Sequence, residues 1–366
     1  MDGPVVYTVV DHARIGQSRL GGAFAFHRET LPPKLMGKLH GPRLMLADLG
    51  PAVGVPVSAS GTPAPAEQGR VLPERTFNLP SLKAMDADVV ASIDVLDTGS
   101  AWLKPMTALK GRIVLSNAVL RLEHLTTKLA KGEVRGAVSL DARNVKKGVL
   151  QANLAIDQVR LEEWATPLQR TGKAPYLSGM LAGRVNVTGT GNSTAALLSS
   201  LNGTASAQLR QGQVSHLLVE LAGLDAMQGM LEFLKGDESL SVECARSEWV
   251  AKQGVLRPET FVVSTRDSTL VVDGSVSIPQ ESLDLRARVS PKDMTLLALR
   301  TPIRVQGSWR DPDIDVFNRS SWARLLGAAA LAAINPIAGV IPLVDTGQRE
   351  DARKADAMCR AAARRS

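Results

Sequence analysis

Cysteine, tyrosine and histidine are scarce in this chain. Its 366 residues include two Cys, two Tyr and five His, and the aromatics together make up 4%. Sites that stack bases or sugars lean on aromatic faces, so a nucleic-acid or carbohydrate reader is disfavoured. Cys244 and Cys359 show no metal-ligand spacing; they are either a disulfide or two buried thiols. The histidines at 12, 27, 40, 124 and 216 are scattered, with no HxH or HxxxH pair. No GxxxxGK[ST] or GxSxG occurs. Gly189-Thr-Gly191 lacks the third glycine of a dinucleotide turn and reads as a strand-to-helix turn. Glu162 and Glu163 are sequence neighbours and point apart, so they read as a helix start rather than an acid/base pair. No catalytic residue, metal site or cofactor is expected, and the chain reads as a non-enzyme. An apolar leader is also missing: MDGPVVYTVVDHARI reads as mid-strand, so the chain is expected to begin inside a larger protein.

What is present is aliphatic. The apolar fraction is 44%, nearly all of it Leu, Val, Ala and Ile. The net charge of +7 is dispersed among 36 acids, apart from a basic cluster at Arg360–Arg365, and reads chiefly as a solubility property. Period-two alternation dominates. Val89, Ala91, Ile93 and Val95 form one face; so do Leu150, Ala152, Leu154 and Ile156, then Leu270, Val272, Val276 and Ile278, then Leu283, Leu285, Ala287 and Val289. Strands with one dry and one wet face belong to antiparallel sheets. Helices are few: a short one at 193–201, capped by Asn192 or Ser193, and a longer one at about 214–235. Residues 51–70 are rich in Pro, Ala, Ser and Gly without periodicity, which predicts a flexible loop.

Two strings suggest an internal repeat. Gly136–Leu140 reads GAVSL and Gly274–Ile278 reads GSVSI, each downstream of a Val-Leu-Arg (119–121 and 255–257). Gly22–Phe26 reads as a weaker copy.

So much one-sided sheet, with so little helix to cover it, has two physical solutions. It packs against a second sheet as a sandwich, or it curls into a trough lined for apolar ligands. Periodicity leaves that choice open. On the trough reading the lining comprises Phe24, Phe26, Ile93, Val138, Leu140, Leu150, Leu154, Ile156, Val185, Val187, Val272, Val276, Ile278, Leu283, Leu285, Val289, Ile303 and Val305. The run 325–344 has the length of a membrane span, but Asn335-Pro336, Gly339 and Pro342 break it. It is expected to be an apolar helical hairpin that caps the groove or dips into a membrane, through Leu325, Leu331, Ile334, Ile337 and Ile341. A membrane-spanning barrel is disfavoured, because barrel strands need aromatic girdles.

The stretches 183–225 and 252–314, with their LNG, GVLRP, GSVSI and LDLR segments and a late G-x-x-x-D-P, resemble the AsmA family of bacterial envelope proteins. The resemblance implies kinship with chorein-type bridge proteins, in which a long β-sheet curls into a groove for phospholipid tails. It also implies a periplasmic body and, in the full-length protein, an N-terminal inner-membrane helix absent here. The late cysteine resembles the family as well, and pairing of Cys244 with Cys359 is expected on that footing. The implied organisation is an N-terminal β repeat (1–50), a loop (51–78), a β-groove domain (79–315) with a helical insert at about 214–235, and a C-terminal apolar hairpin with basic tail (316–366). The implied function is phospholipid binding and movement between membranes by a monomer, with a membrane surface as partner, no nucleic acid and an unknown outer-membrane protein. The rival function is an envelope scaffold that influences outer-membrane protein assembly without carrying lipid.

Overall fold

The computed structural model describes residues 4–49, 70–72, 74, 76–99, 104–165, 175, 177–215, 239–266, 268–292, 303–315 and 350–363. The chain is mostly β. Its strands are β1 (Val5–Ile15), β2 (Ser18–His27), β3 (Lys34–Met45), β4 (Asp86–Asp97), β5 (Met106–Ser116), β6 (Val119–Leu129), β7 (Gly132–Asp141) and β8 (Gly148–Arg160). They continue as β9 (Leu177–Gly191), β10 (Asn202–Ser215), β11 (Ser239–Lys252), β12 (Val255–Thr265), β13 (Ser268–Ser277), β14 (Ser282–Pro291), β15 (Ile303–Ser308) and β16 (Pro312–Asp315). All sixteen join one twisted, unclosed sheet in sequence order, with β1 and β16 at its edges. A sandwich of two sheets is therefore not the solution this chain adopts. Among the described residues the helices are short: α1 (Leu161–Trp164), α2 (Thr194–Ser199) and α3 (Glu350–Ala363). Ser193 caps α2, its Oγ accepting from Ala196 N–H at 3.1 Å. The groove-cap residues Leu325, Leu331, Ile334, Ile337 and Ile341, and the insert expected at about 214–235 from residue 216 on, lie outside the described residues.

From β1 to β8 and from β13 to β16 consecutive strands pair antiparallel, with one refinement: β3 and β4 run parallel. A parallel neighbour requires a long crossover, and residues 46–85 supply it. Elsewhere tight turns suffice. Asn117–Ala118, Ala130–Lys131 and Gln253–Gly254 are pairs of left-handed residues between adjacent strands, the conformation that matches the twist of a two-residue hairpin.

Contacts divide the chain into two units. One comprises Met1–Thr166, Ala182–Ala205 and Ala251–Val255; the other comprises Pro167–Leu181, Ser206–Val250 and Leu256–Ser366. Strands β1–β8 lie wholly in the first, and β13–β16 with α3 in the second.

Candidate functional site

In the first unit, register converts alternation into rows. Phe26 pairs with Leu35, Leu35 with Ala87, Ala87 with Leu115, Leu115 with Leu120, Leu120 with Leu140, and Leu140 with Leu150. The next row runs Phe24, Gly37, Val89, Ile113, Leu122, Val138 and Ala152. Further along, Leu125 pairs with Gly136 and Gly136 with Leu154, while Val134 pairs with Ile156. Directly paired residues share a sheet face, so these rows make one aliphatic surface across seven strands. Most of its side chains are half-buried, whereas Gln151, Asn153 and Asp157 on the other face of β8 are exposed. On that other face Arg112 holds Asp88 at 2.6 Å, which keeps the Asp88 carboxyl below the usual carboxylate range.

Strand ends are sealed. At one, the 3-10 turn Leu79–Lys83 lays Leu79 and Leu82, 1% and 5% exposed, on Leu115 and Ala142, with Phe77, Ala87, Leu120 and Leu140 packed around them. This strap is tied to the loop before α2: Phe77 N–H donates to Asn192 O at 2.6 Å, and Thr76 bridges Ser193. At the other end, Ser18 is fully buried. Its N–H and hydroxyl both donate to Asp48 Oδ2, at 2.8 and 2.7 Å. Ile93, expected in the lining, is 1% exposed and serves as packing.

The second unit is apolar on both faces. On one, Val262 and Val271 pack with Cys244 and Cys359, and Ala355 of α3 joins them. Cys244 and Cys359 are bonded as a disulfide, with Cα atoms 6.0 Å apart. Beside the disulfide lies a cavity of about 270 Å³, lined by Leu209, Val242, Arg210, Arg246 and both cysteines among others. The face of β13 away from α3 carries Leu270, Val272 and Val276, paired with Val289, Ala287 and Leu283 of β14. Leu285 continues that surface to Val305, and Ala287 to Ile303. Alternation from Val262 puts Phe261 on this face too, where it meets Trp249 edge-on with ring centroids 5.9 Å apart. Ile278 departs from the expected lining, since it sits buried in the turn after β13.

Polar contacts hold α3 down. Ser264 Oγ donates to Asp356 Oδ1, Arg360 donates to the same carboxylate at 3.1 Å, and Lys292 Nζ lies 4.0 Å away. Burial pushes the Asp356 carboxyl up, but the Ser264 and Arg360 hydrogen bonds and the Lys292 charge outweigh it, leaving the group below the ordinary aspartate range. Arg360 and Lys292 also reach Glu243, at 2.7 and 3.1 Å. No group of His, Cys, Asp and Glu able to hold a metal occurs among the described residues.

The expected lining residues thus fall into two sets. Phe24, Phe26, Val138, Leu140, Leu150, Leu154 and Ile156 share one surface of the first unit, where Val185 and Val187 also lie half-buried on β9. Val272, Val276, Leu283, Leu285, Val289, Ile303 and Val305 share one surface of the second. Sequence reading missed Leu35, Ile113, Leu120, Leu122 and Leu125, which complete the first set, and the strap at Phe77–Leu82. The signal for the strap was present in the apolar spacing of Phe77, Leu79 and Leu82 at the end of a proline-rich stretch.

A family model described as the AsmA family matches residues 7–261. The AsmA family protein YhjG of Escherichia coli (strain K12) is 30% identical over 351 residues, covering 93% of this chain and 50% of the relative. The chain therefore spans about half the length of that relative. No solved structure matches.

Proposed function

This chain belongs to the AsmA family, whose members are associated with the bacterial envelope, and on that footing we propose that its half-buried aliphatic sheet faces hold the acyl chains of phospholipids. The observation that carries the reading is the set of largely aliphatic rows from β2 to β8, left half-exposed by a single sheet. A curled sheet of this kind forms a groove. Each methylene taken from water onto such a surface gains about 0.8 kcal/mol, so no head-group chemistry is needed for retention. Aliphatic contacts have no fixed positions either, so a chain can slide along the rows. The mechanism is partition and sliding, with no covalent step, between the inner and outer membranes.

One observation supports a periplasmic setting for that activity. The Cys244–Cys359 disulfide suits an oxidising compartment. Among the described residues no helix is long and apolar enough to cross a membrane.

The test pairs two substitutions on β8. Leu154→Arg places a charge on the aliphatic face opposite Gly136, where an open groove lets the guanidinium snorkel to water. Expected is a folded protein with less bound phospholipid, counted by mass spectrometry after detergent-free purification. Asn153→Arg, on the exposed face, should change neither fold nor lipid. Folded wild-type protein with only trace lipid would remove the transfer reading and leave the scaffold.

A further inference from the structure

α3 has almost nothing apolar with which to hold the face it covers. Among its described side chains those it buries are Ala352 and Cys359, with Ala355 half-buried beside them. Met358, its one large apolar side chain, is 61% exposed. A fourteen-residue helix with so small a contact face is marginal in water. The ion pairs of Arg360 and Glu243 are substantially exposed, and such pairs contribute little. The more buried Asp356, held by Ser264 and facing Lys292, adds a polar anchor, and the bond between Cys244 and Cys359 is the one covalent tether among the described residues. Beneath the helix lie Val262 and Val271, and Val242 lines the 270 Å³ cavity that borders both sulfurs.

We propose that α3 is a redox-latched cover: reduction of Cys244–Cys359 frees the helix and opens the strip of Val242, Val262 and Val271 to a phospholipid acyl chain. The reductant is a dithiol. It gives two electrons and two protons, leaves as its own disulfide, and converts Cys244 and Cys359 to thiols. Both sulfurs are buried with α3 in place, and the cavity they line is the route by which a thiolate reaches them. Arg210 and Arg246 at the cavity, the latter now held by Glu248, provide charge that suits a lipid phosphate. The latch stands on geometry alone; the occupant rests on the lipid reading above.

The experiment uses the full chain, oxidised and after dithiothreitol, with hydrogen exchange resolved by segment. Bound lipid is counted after incubation with phosphatidylethanolamine–phosphatidylglycerol vesicles. Expected on reduction is exchange across 350–363 faster by about tenfold or more, with β12 and β13 still protected and more lipid bound. Cys359→Ser should show the released helix and the higher lipid count under both conditions. Continued protection of α3 after reduction overturns the latch. So does joint loss of protection in α3, β12 and β13, which makes the disulfide a structural staple. Release of α3 in protein that carries lipid but gains none overturns the occupant. Protein that carries no lipid in either state sinks the lipid reading while the exchange result still judges the latch.

Discussion

Three glycines show how a repeat is enforced at the level of single residues. Gly136, Gly203 and Gly274 all take positive φ within strands, at 155°, 141° and 122°. A Cβ on Gly136 would lie 2.0 Å from Asn153 O, one on Gly274 2.0 Å from Asp284 O, and one on Gly203 2.2 Å from Asn186 O. These are backbone atoms that cannot step aside. GAVSL and GSVSI are thus alike because both strands pass very close to the next one, opposite Leu154 and Leu285 respectively. Gly203, near the start of β10, shares the positive φ and the close approach, whereas Gly22, in the expected third copy, does not take positive φ. Gly136→Ala and Gly274→Ala should each destabilise by about 2–5 kcal/mol through strain and overpacking, read in urea melts. Ser275→Ala, beside Gly274, should stay near wild type.

His124 is the opposite case, a bulky residue where the backbone favours glycine. It is exposed, with φ of 52°, inside β6. His124→Gly should raise stability by about 1 kcal/mol by relieving the left-handed strain. A lower melting temperature would mean that the imidazole makes a stabilising contact.

At the scale of elements, the bulge at His124 explains where strict alternation misleads. The β6–β7 register shifts between Leu122 and Leu125. Leu120 and Leu122 precede the shift at even positions; Leu125 and Leu129 follow it at odd ones, yet all four pair with the even-numbered face of β7. An extra residue in a strand reverses the parity of everything beyond it. Gln158 on β8 does the same: the buried positions move from Ala152 to Val159.

The strap makes a second prediction at this scale. Leu79 is almost wholly buried against Leu115 and Ala142, so Leu79→Ala should cost about 2–5 kcal/mol, a loss measurable by thermal denaturation. An unchanged melt would show that the strap lifts off without consequence. α3 supplies a pH dependence. The Asp356 carboxyl is depressed in the folded state, so its contribution is complete above the unfolded aspartate range. It is lost as pH falls through the lowered folded value. Protection of 350–363, corrected for the intrinsic exchange rate at each pH, should therefore fall in acid below the ordinary aspartate range, and Asp356→Asn should abolish that acid dependence.

For the whole molecule, the charge is net positive but dispersed. Association with phosphatidylglycerol-containing vesicles should accordingly be weak. It should fall steeply between ~0.01 M and ~1 M salt, where the screening length drops from about 30 Å to about 3 Å. Salt-insensitive binding in a flotation assay would mean that apolar insertion, not charge, drives contact with membranes. The β class stood in plain view: scarce aromatics, few helices and period-two runs specify one-sided strands, while the choice between sandwich and single curled sheet stayed open. Sequence also determined which positions are aliphatic, because alternation is a property of each strand alone. Partnership is not local. Which rows align, that β4 meets β3 in parallel, that α3 covers Val262 and Val271 and not Leu270 and Val272, and that Cys244 reaches Cys359 all depend on register between segments distant in the chain. Only tertiary structure decides those, since a one-residue bulge exchanges the two faces of a strand while leaving its composition untouched.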